Sequence, residues 1–257
     1  MVRPPPLNPE ALHALMSTDR FLIWEFDGTL AFRPGNWTGV VCDVVAGERP
    51  DVGMTPDRLR PHLQSGFPWH TPHIVRTPCS ADQWWSELLP VLARAVESAA
   101  GLDASEARRL VSGVRAAYTD AKGWQLFDDV LPVLACLRDR GWRHIVLSNH
   151  VPELPQLVEA LGLRDFITAV YCSACTGVEK PHLKAFELVF AQYPAAHHGW
   201  MIGDSWRADV QAALAVGMRA ILVRSEHPEA ARQCKTLKEV VGIVEGMEHC
   251  SAADGGS

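Results

Sequence analysis

The chain has 257 residues, of which 47% are hydrophobic and 21% are charged, a balance that is ordinary for a globular protein. Its 24 Lys and Arg residues and 30 Asp and Glu residues give a formal net charge of -6. This mild acidity, without any basic block, excludes a general attraction to nucleic acid or to an anionic membrane. An anionic ligand would have to be attracted by its own binding site.

The N-terminus and the cysteines indicate a cytoplasmic protein. Residues 1–10 are rich in Pro and lack the apolar run of a signal peptide, and no stretch approaches the roughly 20 apolar residues that span a bilayer. The seven Cys residues are odd in number and scattered, which is not typical of a disulfide framework. We expect a reduced, cytoplasmic monomer or homodimer with no membrane partner and no nucleic-acid partner.

Alternating strands and helices are predicted along most of the chain. Apolar runs predict strands at 21–26, 143–147, 166–171, 199–202 and 219–223. Amphipathic patterns predict helices at 128–140, 153–161, 181–193 and 208–216. This alternation predicts an α/β fold with a doubly wound parallel sheet, in which ligands bind beyond the carboxyl ends of the strands.

The alternation stops after residue 30 and resumes at about residue 123. Residues 33–78 are rich in Pro, Gly and Trp and are predicted to be irregular, whereas helices are predicted at 83–99 and 105–118. A segment of this size, inserted after the first strand, is typical of a cap domain. The predicted division is an N-terminal tail at 1–17, a core at 18–34 and 123–245, a helical cap at 35–122 and a C-terminal tail at 246–257, with disorder at 251–257.

Four short motifs, each at a predicted strand end or helix start, contain the candidate catalytic and binding residues. In chain order they are Glu25-Phe-Asp27-Gly-Thr-Leu30, Ser148-Asn149, Gly177-Val-Glu-Lys180-Pro and Gly203-Asp204-Ser-Trp-Arg-Ala-Asp209. The first places two carboxylates on one face of a strand, and the others add a hydroxyl, an amide, a cation and two more acids. In this order and spacing they resemble the motifs of the haloacid dehalogenase-like (HAD) superfamily. Within it, the chain resembles a C1-capped, phosphatase-type member.

The resemblance implies a magnesium-dependent hydrolase of a small phosphorylated metabolite, with Mg²⁺ as its cofactor. Glu25, Asp204 and the main-chain carbonyl of Asp27 would bind the metal through oxygen atoms. Asp27 would also protonate the leaving oxygen and later activate water. Dehalogenases of the superfamily lack this acid and need no magnesium, so Asp27 favours a phosphatase-type site.

The resemblance assigns two roles to the remaining polar residues: binding the phosphate group and orienting Lys180. Ser148 and Lys180 would complete the catalytic group, since both can stabilise a dianionic phosphate. Asp209 would orient Lys180 or metal-bound water. The further candidates for binding phosphate or substrate are Gly28, Thr29, Asn149 and His150, although His150 could instead be an exposed loop residue.

Glu25 departs from the family pattern, which has Asp as the nucleophile. The extra methylene moves the carboxylate by about 1 Å or more, a misplacement that can cost about 10²-fold in rate. Three hypotheses stay open: Glu25 still attacks phosphate, the site binds magnesium and a phosphate-bearing ligand without forming a phospho-enzyme, or the site performs redirected chemistry such as elimination or cyclisation. The retained Asp27, Lys180 and Asp204 argue against simple decay of the site.

The predicted cap contains the candidates for substrate selection. They are Trp37, Phe67, Trp69 and His70, although aromatic residues at such positions usually pack the cap onto the core. His70 and His73 lack a neighbouring Cys or acid at ligand spacing, so we expect no metal there. Cys172-Ser-Ala-Cys175 has no second pair, and we expect these two cysteines to be small buried residues.

Overall fold

A computed structural model of the chain describes residues 19–246. The predicted tails therefore lie outside the described residues, apart from residue 246, and so does the disorder predicted at 251–257.

The core of the structure is a six-stranded sheet in which every neighbouring pair of strands is parallel, as predicted. Its order is β5-β4-β1-β6-β7-β8, and β2 and β3 form a separate antiparallel pair. The strands are β1 Arg20–Trp24, β2 Ala31–Phe32, β3 Gln125–Leu126, β4 Trp142–Ser148, β5 Ile167–Cys172, β6 Trp200–Gly203, β7 Arg219–Val223 and β8 Gln233–Cys234.

Both faces of the sheet are covered, which explains why its strands are continuous apolar runs. In β1, Leu22 and Trp24 pack into one hydrophobic cluster, while Phe21 and Ile23 pack into a second cluster on the opposite face. The helices of the core are α6 Val130–Asp139, α7 Leu154–Ala160, α8 Ser173–Thr176, α9 Lys184–Gln192, α10 Ala212–Ala215 and α11 Leu237–Val244. The helix predicted at 208–216 begins instead as a π-helical segment, Trp206–Gln211, that leads into α10.

A helical insert, residues 33–124, lies between β2 and β3, whose pairing joins its two ends. Its helices are α1 Asn36–Glu48, α2 Pro56–Leu59, α3 Ala81–Ala100, α4 Ala104–Val111 and α5 Val114–Thr119. The prediction that residues 33–78 are irregular is wrong for α1, because Val40, Val41 and Val45 form a buried helical face despite the neighbouring glycines. The single helix predicted at 105–118 is divided into α4 and α5 near Gly113.

Glu153, which directly precedes α7 of the core, binds the helical insert. Its carboxylate accepts hydrogen bonds from Trp85 Nε1 at 3.1 and 3.2 Å and from Arg115 Nε at 3.0 Å. Arg115 in turn contacts Asp82 at the start of α3. Hydrogen bonds to a charged group are stronger than neutral ones, so this contact holds α3 and α5 against the core.

We predict that Glu153→Ala lowers the free energy of unfolding by about 1–3 kcal/mol, because the buried indole N–H of Trp85 and the Arg115 guanidinium lose their shared acceptor. Urea denaturation followed by circular dichroism measures the change. The matched control is Glu159→Ala in α7, whose carboxylate lies 3.8 Å from the Arg164 guanidinium at an exposed position. The control should change stability by less than about 0.5 kcal/mol; equal effects of the two variants would contradict the prediction.

Candidate active site

The predicted site residues meet at one end of the sheet because three neighbouring strands deliver them. β1 lies between β4 and β6. Glu25 and Asp27 follow β1, Ser148 ends β4 and Asp204 follows β6. Parallel strands share the direction of their carboxyl ends, so these four side chains collect at a single edge.

Lys180 is the cation of the site and is almost completely buried, with 1% of its surface exposed. Its ammonium donates hydrogen bonds to Glu25 Oε2 and to Asp209 Oδ1. Burial alone would lower the pKa of Lys180, but the Asp209 and Glu25 carboxylates outweigh burial and raise it. Lys180 is therefore held as an ammonium ion between two carboxyl groups.

Asn149 fixes the main chain of Lys180 from both sides. Its Nδ2 donates to the Lys180 carbonyl oxygen at 2.8 Å, and its Oδ1 accepts from the Lys180 amide at 2.7 Å. Both polar atoms of this amide are thus engaged. Asn149 lines the cavity described below, but its hydrogen bonds position the lysine.

The carboxylate of Glu25 is engaged at both oxygens. Oε1 accepts from the Ser148 hydroxyl and, at 2.9 Å, from the Phe26 amide, while Oε2 accepts from Lys180. Burial raises the pKa of Glu25, whereas the neighbouring Lys180 ammonium opposes this shift and favours the ionised carboxylate. The two donors predicted for phosphate, Ser148 and Lys180, therefore both contact the Glu25 side chain itself.

Asp27 and Asp204 are two further acids of the site, and each carboxylate accepts a hydrogen bond from one side chain. Asp27 Oδ2 accepts from Asn36 Nδ2 at 2.9 Å, and Asp204 Oδ1 accepts from the Thr29 hydroxyl at 3.2 Å. Burial raises the pKa of each acid to about 6, and the charge of a neighbouring carboxylate adds to the effect in both cases. A cation would relieve this repulsion.

Gly28 allows the loop after β1 to approach Asp204. Its φ of +78° is in the left-handed region, and a Cβ atom there would lie 2.4 Å from Asp204 Oδ2. A substitution would displace the carboxylate. Gly28 thus shapes the acidic end of the site with its backbone, and Thr29 is fully buried behind it.

The acidic cluster fits a hard cation only with help from the main chain and water. Within residues 19–246, no group of three or more His, Cys, Asp or Glu side chains is arranged to hold a metal ion. Mg²⁺ usually keeps several waters and binds one or two protein carboxylates. Asp27 and Asp204, which line the same cavity, together offer that number of carboxylates.

A cavity of about 940 Å³ opens over these residues, between the core and the helical insert. The predicted residues that line it are Glu25, Asp27, Trp37, Trp69, His70, Asn149, His150, Lys180, Asp204 and Asp209. Phe67 does not line it, since it is buried and stacks on Trp69 with the ring centroids 4.6 Å apart.

Several lining residues are missing from the prediction. Asn36, which binds Asp27, follows Pro34-Gly35 at the start of α1, a helix-start signal that the sequence does contain. Arg207 lies within the fourth motif and is exposed at the cavity. Tyr118 reaches the cavity from α5, and nothing in its local sequence marks it.

Burial excludes one alternative near the site and corrects one prediction. His150 is not an exposed loop residue: it is 3% exposed and its ring packs against Phe26 and Trp124, with centroid distances of 5.4 and 5.2 Å. Cys172 is buried as predicted, but Cys175 is exposed because it lies on the outer side of the single turn of α8. Burial lowers the pKa of the His150 imidazole to about 3, so the ring is neutral.

Comparisons with known proteins agree with this architecture. The chain matches the haloacid dehalogenase-like hydrolase family over residues 73–217. It is 30% identical to haloacid dehalogenase-like hydrolase domain-containing protein 3 of Bos taurus over 151 residues, which are 58% of this chain and 59% of that protein. It is 27% identical to a phosphoglycolate phosphatase of Pectobacterium atrosepticum over 211 residues, 81% of each chain. The chain thus spans only 59% of the length of the bovine relative.

A solved structure shares the fold. The HAD phosphatase from Thermococcus onnurineus superposes with a TM-score of 0.60 at 20% sequence identity, over 88% of this chain and 98% of that one.

In residues 19–246, no helix is long and apolar enough to cross a membrane.

A parallel sheet with acids and a lysine at the carboxyl ends of its central strands defines an α/β hydrolase of the HAD-like class. The family match covers more than half of the chain, and the chain belongs to the haloacid dehalogenase-like hydrolase family. The superfamily resemblance is confirmed, whereas the C1 cap subtype and a nucleophilic role for Glu25 stay predictions.

We predict that Asp204→Asn is more stable than the wild-type protein at pH 7 by about 1–3 kcal/mol when no divalent cation is present. The folded-state pKa of Asp204, about 6, is above its ordinary value of 3.8. Its contribution to stability is therefore present below pH 3.8 and is lost as the pH rises through 6. Thermal unfolding from pH 4 to pH 7.5, in EDTA, measures the difference, which should disappear towards pH 4.

The control for this prediction is Asp165→Asn, at an exposed position outside the site. Its stability should follow the wild type at every pH. If Asp204→Asn also follows the wild type from pH 4 to pH 7.5, the raised pKa inferred for Asp204 is wrong.

Proposed function

We propose that the chain is a magnesium-dependent hydrolase that releases phosphate from small phosphorylated metabolites. The observation that carries this proposal is the convergence of Glu25, Asp27, Lys180 and Asp204 on one cavity at the carboxyl ends of the central strands. The name of the Pectobacterium relative, a phosphoglycolate phosphatase, supports the same reaction class. Phosphate release from a monoester requires a nucleophile, a proton donor and positive charge, and the cavity contains candidates for all three.

Mg²⁺ would be held by Asp204, by the main-chain carbonyl of Asp27 and by Glu25. The metal supplies positive charge that offsets the repulsion between the carboxylates and a dianionic phosphate. Burial, and to a smaller extent the charge of Asp204, raises the pKa of Asp27, and a cation would offset both effects, which supports this assignment. Asp209 would act from behind Lys180, as their hydrogen bond suggests.

The chain's own residues would perform two displacements at phosphorus. A Glu25 oxygen attacks, the bond from phosphorus to the ester oxygen breaks, and Asp27 donates its proton to the departing alcohol. Water then attacks the phosphorus of the glutamyl phosphate, giving its proton to Asp27, and phosphate and the free Glu25 carboxylate are released. The raised pKa of Asp27, about 6, suits a group that must first give and then take a proton near neutral pH.

When substrate binds, Ser148 and Lys180 would donate their hydrogen bonds to the phosphate oxygens instead of to Glu25. The helical insert would act as the cap that selects the substrate, with Trp37, Trp69 and His70 at the cavity and Phe67 supporting Trp69. Phosphate or substrate contacts for Gly28, Thr29, Asn149 and His150 stay predictions, as do a cytoplasmic location, the absence of nucleic-acid and membrane partners, and a monomeric or homodimeric state.

One observation favours a second function: Ser148 and Lys180 both donate hydrogen bonds to Glu25. A Glu25 carboxylate held by these two donors would not be oriented to attack phosphorus, although magnesium and phosphate could still bind. The protein would then bind a phosphate or diphosphate ligand without hydrolysis, or perform redirected chemistry such as elimination or cyclisation. Turnover by the natural glutamate distinguishes these possibilities from a phosphatase.

We predict that the wild-type protein releases phosphate from 4-nitrophenyl phosphate only with Mg²⁺, and that Glu25→Gln lowers kcat roughly 10³-fold or more, because the amide cannot attack phosphorus. Steady-state assays with Mg²⁺ and with EDTA measure both effects. Circular dichroism confirms that the variants are folded, and Glu159→Gln, at an exposed position, is the matched control.

Glu25→Asp separates the hypotheses. If Glu25→Asp turns over and the wild-type protein does not, the scaffold is competent and the natural glutamate has been adapted to binding or to another reaction. That outcome would overturn the phosphatase proposal.

A further inference from the structure

The four tryptophans of the helical insert fall into two groups. Trp84 and Trp85 in α3 are 6% and 1% exposed and do not line the catalytic cavity. Trp37 and Trp69 are only partly buried, and both line that cavity. Packing of the insert thus accounts for the first pair but leaves part of the second pair uncovered.

The uncovered pair is held in place by other aromatic rings. Trp37 stacks on Tyr118, with ring centroids 3.9 Å apart and an angle of 16° between the planes. Trp69 stacks on Phe67 at 4.6 Å and 20°. The ring centroids of Trp37 and Trp69 lie 6.0 Å apart. Tyr118 is only 1% exposed, so it supports Trp37 from behind, as Phe67 supports Trp69. Trp37 and Trp69 therefore form a preordered aromatic wall, on which a ring would pack at little cost in side-chain entropy.

The aromatic wall faces the polar floor of the same cavity. Asp27 at the floor is bound by Asn36, the residue that directly precedes Trp37 in α1. The position predicted for the leaving oxygen, next to Asp27, is therefore close to the start of the wall. The cavity volume of about 940 Å³ lies near the upper end of the range for ligands of drug size. A phosphate on a two- or three-carbon alcohol would leave most of this wall in contact with water.

We propose that the substrate is a phosphate ester whose leaving group contains a planar ring, and that this ring packs on the wall formed by Trp37 and Trp69. The inference rests on the proposed function, because it assumes that the phosphoryl group binds at the floor. Trp69 is the specificity-determining residue that the test addresses. One of its faces is covered by Phe67, so a substrate ring would contact the face on the cavity side.

Equilibrium binding of phosphonates tests the inference without requiring turnover. Isothermal titration calorimetry with Mg²⁺ compares methylphosphonate, which has no ring, with benzylphosphonate, which adds one ring to the same anionic group. Burying an aromatic ring against aromatic side chains should make benzylphosphonate bind about 10- to 100-fold more tightly to the wild-type protein.

Substitutions at Trp69 assign the preference to the wall. Trp69→Leu should reduce the ratio of the two affinities by about 3- to 10-fold without weakening methylphosphonate, whereas Trp69→Phe keeps a ring and should retain most of the ratio. Trp84→Leu makes the same change in the same insert, away from this cavity, and should leave the ratio unchanged. Circular dichroism checks that each variant is folded.

The outcomes separate the two proposals. Equal affinities for the two phosphonates in the wild-type protein, or a ratio that is unchanged in Trp69→Leu, would overturn the ring-bearing substrate while leaving the phosphate site intact. If methylphosphonate and benzylphosphonate both fail to bind in the presence of Mg²⁺, the proposed function fails, and this inference fails with it.

Discussion

The buried ammonium of Lys180 is the constraint on which the arrangement of the site depends. A charge without a partner in the interior costs several kcal/mol, so Lys180 must be compensated by carboxylates within hydrogen-bond reach. Glu25, which follows β1, and Asp209, in the π-helical segment after β6, provide that compensation, and Asn149, which follows β4, holds the lysine main chain. The sheet order β4-β1-β6 is what makes this three-sided enclosure possible.

The same constraint determines how the longer side chain at position 25 is accommodated. A glutamate reaches farther than an aspartate from the same backbone position, and here its carboxylate extends to both Lys180 and Ser148. An incoming phosphate would have to compete with Glu25 for these two donors. Phosphate binding and the freedom of the Glu25 carboxylate are therefore coupled, and the positive charge proposed at Asp204 would set the balance between them.

Much of the fold and most of the polar site could be predicted because they depend on local sequence. Buried parallel strands are continuous apolar runs, and the residues that follow them must lie at the carboxyl end of the sheet, which places Glu25 and Asp204. The length of β8, two residues, is too short to give a pattern. Tyr118 could not be predicted, because its place in the cavity depends on how α5 packs against α1.

The measurement that tests the central claim most directly is mass spectrometry of the protein after rapid acid quenching during turnover of an aryl phosphate with Mg²⁺. If Glu25 is the nucleophile, the peptide that contains Glu25 will carry one phosphoryl group, and this adduct will be absent from Glu25→Gln. Phosphate release without any phosphorylated Glu25 peptide would contradict the account, because it would show that Glu25 serves the site without attacking phosphorus.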